Sequence, residues 1–441
     1  PEESEKIMKR YAFVGLGMVA GFAAAVMLFP AAHSASDNSA YKQLDLFGDA
    51  FERVRANYVR PVSETELVNA AIEGMVSSLD PHSSYMDAKA YADMKIQTKG
   101  EFAGIGIEVT MEDGLVKVIS PIDDTPAAKA GIKPGDYIAA IDNTPVQGLS
   151  LGDAVDRMRG AAGTKIKLTV LRKGEKKPFE MTLVRATVHV ATVKFHREGD
   201  VGYIRLTSFN QEAAPGIERA VKALQQQIGS NIKGYVLDLR NNPGGLLDQA
   251  VDVSDDFLQG GTIVSTKGRH SDDNATYNAH GGDITNGKPV IVLINQGTAS
   301  ASEIVAGALQ DDKRAKIIGM TSFGKGSVQT IIPLSEGGGA LRLTTARYYT
   351  PSGHSIQALG ITPDVAVAQG DESAVKLAAQ SEADLPGHLA GAGPAKKETQ
   401  VIKPAPGKKY DDFQLSYALD VLNGRNTVAF VKSAAADPSA Q

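Results

Sequence analysis

The chain has 441 residues, of which 42% are apolar and 22% charged, with a formal net charge of −5. This predicts two or three domains of ordinary soluble composition and gives no basis for nucleic-acid binding. There is no cysteine, which excludes disulfides, thiolate metal sites and a cysteine nucleophile.

Residues 8–36, within the N-terminal segment 1–36, read as an export signal. Met8-Lys-Arg10 is a basic start, Tyr11 to Ala32 is almost wholly apolar, and Ala32-His-Ser34 precedes Ala35-Ser36 as a small-x-small cleavage site. The apolar run, residues 11–32, is long enough to span a bilayer, so the segment is expected to be a cleaved signal peptide or a retained membrane anchor. Both place the body of the chain outside the cytoplasm, in the periplasm or cell envelope. Residues 37–96 are expected to be helical. Leu44, Phe47, Phe51 and Val54 recur at helical spacing, and Ser63-Glu-Thr-Glu-Leu-Val opens a second helix that Leu79-Asp-Pro-His-Ser breaks. No chemistry is expected there; the role is packing or dimerisation, and a homo-oligomer is expected.

Residues 97–187 read as one compact unit of short strands with an amphipathic helix over 150–159. Its Thr125-Pro-Ala-Ala-Lys-Ala-Gly131 helix and Lys133-Pro-Gly-Asp136 turn resemble a PDZ domain of the bacterial, circularly permuted kind. Such a groove adds a peptide strand to a sheet edge and holds its terminal carboxylate on backbone amides. Gly104, Ile105, Gly106 and Ile107 would form that carboxylate loop, with Val155 and Met158 on the groove-lining helix. Arg159, at that helix's end, is a candidate for coupling the groove to the rest of the chain; its alternative is a solvated residue complementing the helix dipole.

Residues 188–368 alternate strand and helix, which implies a mostly parallel sheet. Strands are expected at 202–206, 234–240, 289–295 and 315–319, helices at 213–227, 247–258 and 300–310, and a hairpin over 328–349. Residues 369–409 have the composition of a linker. In 410–441 one helix is expected, since Leu415, Ala418 and Leu422 share a face.

Three segments of this core can carry chemistry. Ser300, in Gly297-Thr-Ala-Ser-Ala-Ser-Glu303, sits at an expected helix start, where outward amides and the dipole favour developing negative charge. Ala301 N–H would then be one oxyanion donor. Ser300 with Glu303 also fits a plain capping box, and Ser302 is a rival nucleophile. Lys325, in Thr321-Ser-Phe-Gly-Lys-Gly-Ser-Val-Gln329, lies between two glycines that allow close approach of a substrate; desolvated, it can serve as the base a serine needs. The same stretch satisfies G-x-x-x-x-G-K, but Gly326 stands where a phosphate loop needs Ser or Thr, and the following residues alternate like a strand. Asp238-Leu-Arg-Asn-Asn-Pro-Gly-Gly245 offers Gly244 or Gly245 as a second oxyanion donor, or is a tight turn. None of the eight histidines forms a metal-ligand spacing, and no cofactor or metal is expected.

In order, the PDZ-like unit, Leu-Arg-Asn-Asn-Pro-Gly-Gly, Ala-Ser-Ala-Ser-Glu, Phe-Gly-Lys-Gly-x-Val-Gln and Pro-Ser-Gly-x-Ser-Ile-Gln resemble the carboxy-terminal processing (tail-specific) proteases, a Ser–Lys family. The resemblance implies an α/β, crotonase-like catalytic core with an inserted PDZ domain and a helical N-terminal segment. It implies Ser300, rather than Ser302, as nucleophile, Lys325 as base and Gln329 as the residue orienting it. It also implies protein or peptide substrates with accessible C-termini, presented directly or by an adaptor protein. Thr298 stands where many relatives carry Ser, and His354 where many carry Arg. Two rivals remain: a catalytically inactive PDZ adaptor, and a nucleotide hydrolase.

One spacing is awkward. Residues 325 and 329 on a regular strand share a face but lie about 13 Å apart, so a direct contact requires the chain to bend.

Overall fold

The computed structural model describes residues 37–335, 337–370, 381–393, 401–405 and 410–425. The expected export signal and the tail after residue 425 lie outside these. No helix among the described residues is long and apolar enough to cross a membrane. Residues 1–72 and 73–441 form two units.

The first unit contains α1 (Asp37–Asn57) and the start of α2 (Glu64–Ser77). Arg55 bonds Glu52 and Glu64 at 2.6 Å each, while Tyr41, Leu44 and Phe47 stay exposed.

The second unit begins with β1 (Ser84–Met86) and α3 (Ala88–Lys99). The expectation of helix throughout 37–96 is therefore corrected at β1, which pairs with a distant strand of the core. Asp87 caps α3 through the Ala90 N–H, and Gly100, at φ 72°, ends it in the left-handed conformation that suits glycine.

β2 (Glu101–Gly104) leads into the PDZ domain. There follow β3 (Ile107–Glu112), β4 (Leu115–Pro121), α4 (Pro126–Ala130), β5 (Tyr137–Ile141), β6 (Thr144–Pro145), α5 (Leu151–Met158), β7 (Lys165–Leu171) and β8 (Phe179–Val184). The main strands run β3-β4-β5-β7-β8, which leaves β3 on an edge. Val116, Val118, Ile138, Ile166, Leu168 and Val170 alternate inward and form a core of this domain's own. β9 (Ala186–His189) leaves the domain antiparallel to β2. The PDZ unit is thus carried on a two-stranded stem.

The core comprises β10 (Val193–Glu198), β11 (Val201–Leu206), α6 (Ala213–Ile228), β12 (Gly234–Asp238), α7 (Leu247–Asp255), β13 (Gly261–Gly268), β14 (Ala275–Ala279), β15 (Val290–Ile294), α8 (Ala301–Asp311), β16 (Ala315–Gly319), β17 (Ser327–Pro333), β18 (Ala340–Tyr349), β19 (Val365–Val367), β20 (Val401–Ile402) and α9 (Phe413–Leu422). One sheet runs β10-β11-β12-β15-β16-β19-β20, parallel except at β10. Its central strands β11, β12, β15 and β16 are buried on both faces, and period two sorts their side chains. Tyr235, Leu237, Val292 and Ile317 join the core that includes α6, α7 and α8. Val236, Ile291, Leu293 and Ile318 join the one that includes α9. The second sheet holds β1-β18-β13-β14, with β17 on β18.

The stretch 369–409, expected as a linker, differs from that expectation in two places. Residues 401–402 extend the parallel sheet as β20. Glu382 is fully buried, and its N–H bonds the Phe323 carbonyl at 2.9 Å.

Candidate active site

Strand β15 ends at Ile294, and six residues later the chain turns into α8 through Ser300. Ser300 has φ 57° and ψ −118°, a backbone conformation that non-glycine residues rarely adopt. Its neighbours hold it there. Ala299 N–H bonds Asn242 O at 3.0 Å, and Ser300 N–H bonds Glu303 Oε2 at 2.8 Å. Such strain costs on the order of 1–3 kcal/mol and persists only where the surroundings enforce it. The capping-box arrangement with Glu303 is present, with Glu303 reaching back to Ser300 N–H, so the serine that opens α8 as its cap is also one that lines a cavity with Lys325 and Gln329. Ser302 differs. It is fully buried and donates to Asn242 O at 3.0 Å, so it does not face a substrate.

The Glu303 carboxylate, fully buried, joins the two segments. Oε2 accepts from Ser300 N–H at 2.8 Å and from Lys325 N–H at 2.9 Å. Oε1 accepts from Ser322 Oγ at 2.6 Å and Gly324 N–H at 2.7 Å. Burial pushes its pKa up to about 7, against these four bonds, which favour the ionised form.

Lys325 Nζ donates to Gln329 Oε1 at 2.5 Å. The awkward spacing is resolved in two ways. Lys325 lies before β17, which starts only at Ser327, and the register slips between Val328, opposite Ala346, and Gln329, opposite Thr344. Gln329 Nε2 donates to Ser327 Oγ at 2.9 Å and Thr344 Oγ1 at 3.1 Å, which fixes the amide with its oxygen toward the lysine. Thr344 Oγ1 in turn bonds Asp80 Oδ1 at 3.1 Å, and Ser83 Oγ bonds Asp80 Oδ2 at 2.6 Å. Burial lowers the Lys325 pKa from its ordinary value; Arg342 adds to this, while Glu382, Glu303 and Asp80 oppose it.

The flanking glycines serve the fold rather than a substrate, which corrects the sequence-based reason for them. A Cβ at Gly326 would lie 2.2 Å from Gln357 N, and one at Gly324 3.1 Å from Gly360 N. The loop is backed by a buried chain of amide and carboxylate. Gly326 N–H bonds Gln357 Oε1 at 3.0 Å, Gln357 Nε2 bonds Glu382 Oε1 at 2.8 Å, and Glu382 Oε2 meets His82 Nε2 at 2.7 Å. After Lys325 the chain enters a strand, so no helix start exists to cradle a phosphate.

Gly244 packs against the serine: a Cβ there would lie 2.8 Å from Ser300 Cβ and 2.9 Å from Ala301 N. Its N–H is engaged by Asn242 Oδ1 at 2.9 Å, which corrects its candidacy as an oxyanion donor. Gly245 is next in line. Its neighbours form the bridge to Phe209, Phe209 N–H to Gly244 O and Leu246 N–H to Phe209 O, so its own N–H is not used there. Among the described residues, the Ala301 N–H has no backbone acceptor either. Ser300, Lys325, Gln329, Gly244 and Gly245 all line one cavity of about 920 Å³, which also reaches Phe102 and Arg159.

In the PDZ domain the carbonyls of Ile105 and Gly106 are tied inward by Ala127 and Ile122 N–H groups, both at 2.9 Å. Ile105 and Met158 are buried in the domain core, with 2% and 5% of their surface exposed. Met158 therefore packs the domain instead of lining a groove, a correction. Val155 is partly exposed beside that core. Arg159 is about one-third exposed and held by a partner. Its guanidinium bonds Asp93 Oδ1 on α3 at 2.7 Å and stands 5.7 Å from the centre of the Phe102 ring. Its Nε is buried without a partner.

Sequence reasoning missed the supporting residues Asp80, Ser83, Thr344 and Glu382, and quoted Gln357 only as the end of Pro-Ser-Gly-x-Ser-Ile-Gln, without a role. Asp-Pro-His-Ser at 80–83 was visible only as a helix breaker, and nothing local marks Glu382.

A model of peptidase family S41 matches residues 200–367, a PDZ-domain model residues 103–183, and a model described as the activating protease CtpB N-terminal domain residues 17–90. A carboxy-terminal-processing protease of Bartonella bacilliformis is 53% identical over 93% of this chain and 96% of that protein. A carboxyl-terminal-processing protease of Synechocystis is 41% identical over 72% of this chain and 75% of its own length. The carboxy-terminal processing protease CtpA of Bacillus subtilis is 36% identical over 73% and 68% respectively. With its mixed α/β core and PDZ domain, this chain belongs to the carboxy-terminal processing proteases of peptidase family S41, which are serine-type peptidases.

Proposed function

We propose that this peptidase is an exported endopeptidase that works through Ser300 and Lys325. Ser300 Oγ attacks the scissile carbonyl while neutral Lys325 takes its proton. Lys325 returns that proton to the leaving amine, and water then hydrolyses the acyl-enzyme with Lys325 again as base. Ala301 and Gly245 N–H groups receive the oxyanion at the positive end of α8. The observation that carries this reading is the Lys325 Nζ to Gln329 Oε1 contact at 2.5 Å, in one cavity with a serine held in a strained backbone conformation. We assign the core to the crotonase-like type on its mainly parallel sheet. The inactive-adaptor reading is disfavoured because a protein without turnover has no need to desolvate and orient an amine beside that serine.

Substrate C-termini add to the free edge of β3 beside α5, with the terminal carboxylate at the Gly104–Ile107 backbone. The exposed apolar residues of α1 suit a homo-oligomer, and residues 8–36 suit export to the periplasm or cell envelope. The test is hydrolysis of an unstructured peptide with an apolar C-terminus. Ser300→Ala and Lys325→Ala proteins with native circular dichroism are expected to be inactive, and amidating the peptide is expected to weaken its binding. A fully active Lys325→Ala protein overturns the mechanism.

A further inference from the structure

Two arginines line the cavity that holds Ser300 and Lys325. Arg159 is neutralised by Asp93 at 2.7 Å. Arg342 is not. Among the described residues, the hydrogen-bond contact of its side chain is Nη2 to the Met86 thioether at 3.9 Å, a weak acceptor for a group with five donors. The one carboxylate lining this cavity among the described residues is Asp248, in the first turn of α7, and no ion pair joins it to Arg342.

The position of Arg342 is fixed by the sheet. β18 places it between Ser84 of β1 and Ile331 of β17, and places Thr344 opposite Gln329. Period two therefore puts Arg342 on the face that carries Gln329 and Thr344, about 7 Å further along. It is near enough to act on the Lys325 amine electrostatically. A half-buried guanidinium facing a substrate cavity, with no ion-pair partner among the described residues, is matched by an anion that arrives with the substrate. Guanidinium and carboxylate pair through two parallel hydrogen bonds, which confers geometric selection as well as attraction.

We infer that Arg342 is a specificity-determining residue that receives a substrate carboxylate within about three residues of the scissile bond. This rests on the reading of the cavity as the proteolytic site. The carboxylate comes from an acidic side chain or from a free C-terminus reaching the cavity itself.

The test uses full-length protein and peptides amidated at the C-terminus, identical except for Glu or Gln at each position from three before to three after the cleaved bond. At one position the native protein is expected to prefer Glu in kcat/KM by about tenfold, the size expected of a charge-assisted pair. Arg342→Gln is expected to abolish that ratio and Arg342→Lys to restore part of it. Because the ratio compares two peptides on one protein, an effect of the substitution on Lys325 or on folding cancels. A parallel pair, free acid against amide on a peptide too short to span from the PDZ domain, reads the other source of the carboxylate. Binding of the same peptides to Ser300→Ala protein, by fluorescence anisotropy, decides the question without turnover. Hydrolysis that survives Ser300→Ala overturns the proteolytic reading but leaves this binding ratio to judge Arg342. Native ratios near one for every pair, or ratios unchanged in Arg342→Gln, overturn the inference.

Discussion

Lys325 and Gln329 are four residues apart in sequence and 2.5 Å apart between Nζ and Oε1. The contact exists because the lysine stands before β17 and the glutamine stands after a slip in its register. The glutamine amide is itself fixed by Ser327 and Thr344, so it presents its carbonyl oxygen and not its NH2 group. A neutral lysine that donates one N–H to that oxygen keeps its lone pair free to point elsewhere.

The pH dependence follows from the lysine. Burial lowers its folded-state pKa below the ordinary value of 10.5. Activity should rise with pH as Lys325 loses its proton and fall as pH drops below that folded-state pKa. Stability moves the same way: between the lowered folded pKa and the ordinary unfolded one, the unfolded chain binds the extra proton, so stability increases with pH. Lys325→Met should remove activity by at least about 10³-fold and raise the thermal midpoint at neutral pH. A pH–rate profile flat across neutrality, with chemistry limiting, contradicts the assignment.

Gln329→Glu tests the orienting residue separately. A carboxylate in place of the amide would favour the ammonium form, and at about 4 Å with effective screening such a charge is worth several kcal/mol. The acid limb of the activity profile should move up by at least about one pH unit, while kcat at the new plateau falls less. A purely structural role for Gln329 lowers kcat without moving the limb.

Glu303 is expected to hold serine and lysine in register. Glu303→Gln places an NH2 group where backbone donors of Ser300 and Lys325 now converge on one oxygen. Activity should fall by about 10²-fold, as a small misplacement of reacting groups suffices for that. KM should change little. The acid itself, with its pKa pushed up to about 7 from 4.5, binds its proton more readily folded than unfolded. Its contribution to stability is present below about 4.5 and is lost as pH rises through about 7, so Glu303→Gln should flatten that part of the stability profile. Chemical denaturation at several pH values measures this.

Ser302→Ala separates the two serines. The residue is fully buried and its hydroxyl satisfies Asn242 O. Its loss should cost about 1–2 kcal/mol in denaturant unfolding and leave substantial turnover, whereas Ser300→Ala should keep the fold and lose turnover. Equal loss of activity in both would refute the choice of Ser300.

Much of this was readable from local pattern. Periodicity places β11, β12, β15, β16 and the helices between them, and Thr125 to Gly131 and Lys133-Pro-Gly-Asp136 with the amphipathic 150–159 segment mark the PDZ domain. What escaped depends on contacts between distant parts of the chain. β1 has only three residues, too short for a period, and exists because β18 offers an edge. Glu382 sits in a Gly- and Pro-rich stretch whose composition reads as linker, yet it bonds Gln357 and His82 across 25 and 300 residues. Gly244 fails as an oxyanion donor for a reason two residues away, the Asn242 side chain. Met158 follows the helical apolar stripe correctly, but periodicity cannot tell a groove from the core beneath it.

Coupling of the PDZ domain to the cleft is the last prediction. Arg159 closes α5, and in this structure its guanidinium is held by Asp93, whose carboxyl is kept below its ordinary pKa by Lys89 and by Arg159 itself. Arg159 and the catalytic candidates line the same cavity. If peptide binding beside α5 moves that helix, the Asp93 bond is the contact that must break, and Arg159 then becomes free to enter the cleft. Both residues are about one-third exposed, so the pair itself contributes little to stability. Asp93→Ala should therefore leave the fold intact and raise turnover of a peptide too short to reach the PDZ domain. Arg159→Ala should lower turnover of long peptides far more than their affinity. The double variant should behave like Arg159→Ala, because the released arginine is the acting group. Deleting residues 97–187 removes Arg159 and gives the same outcome on short peptides as Arg159→Ala. Identical rates for native, Asp93→Ala and Arg159→Ala proteins on short and long peptides alike would show that this ion pair is a surface contact without regulatory effect.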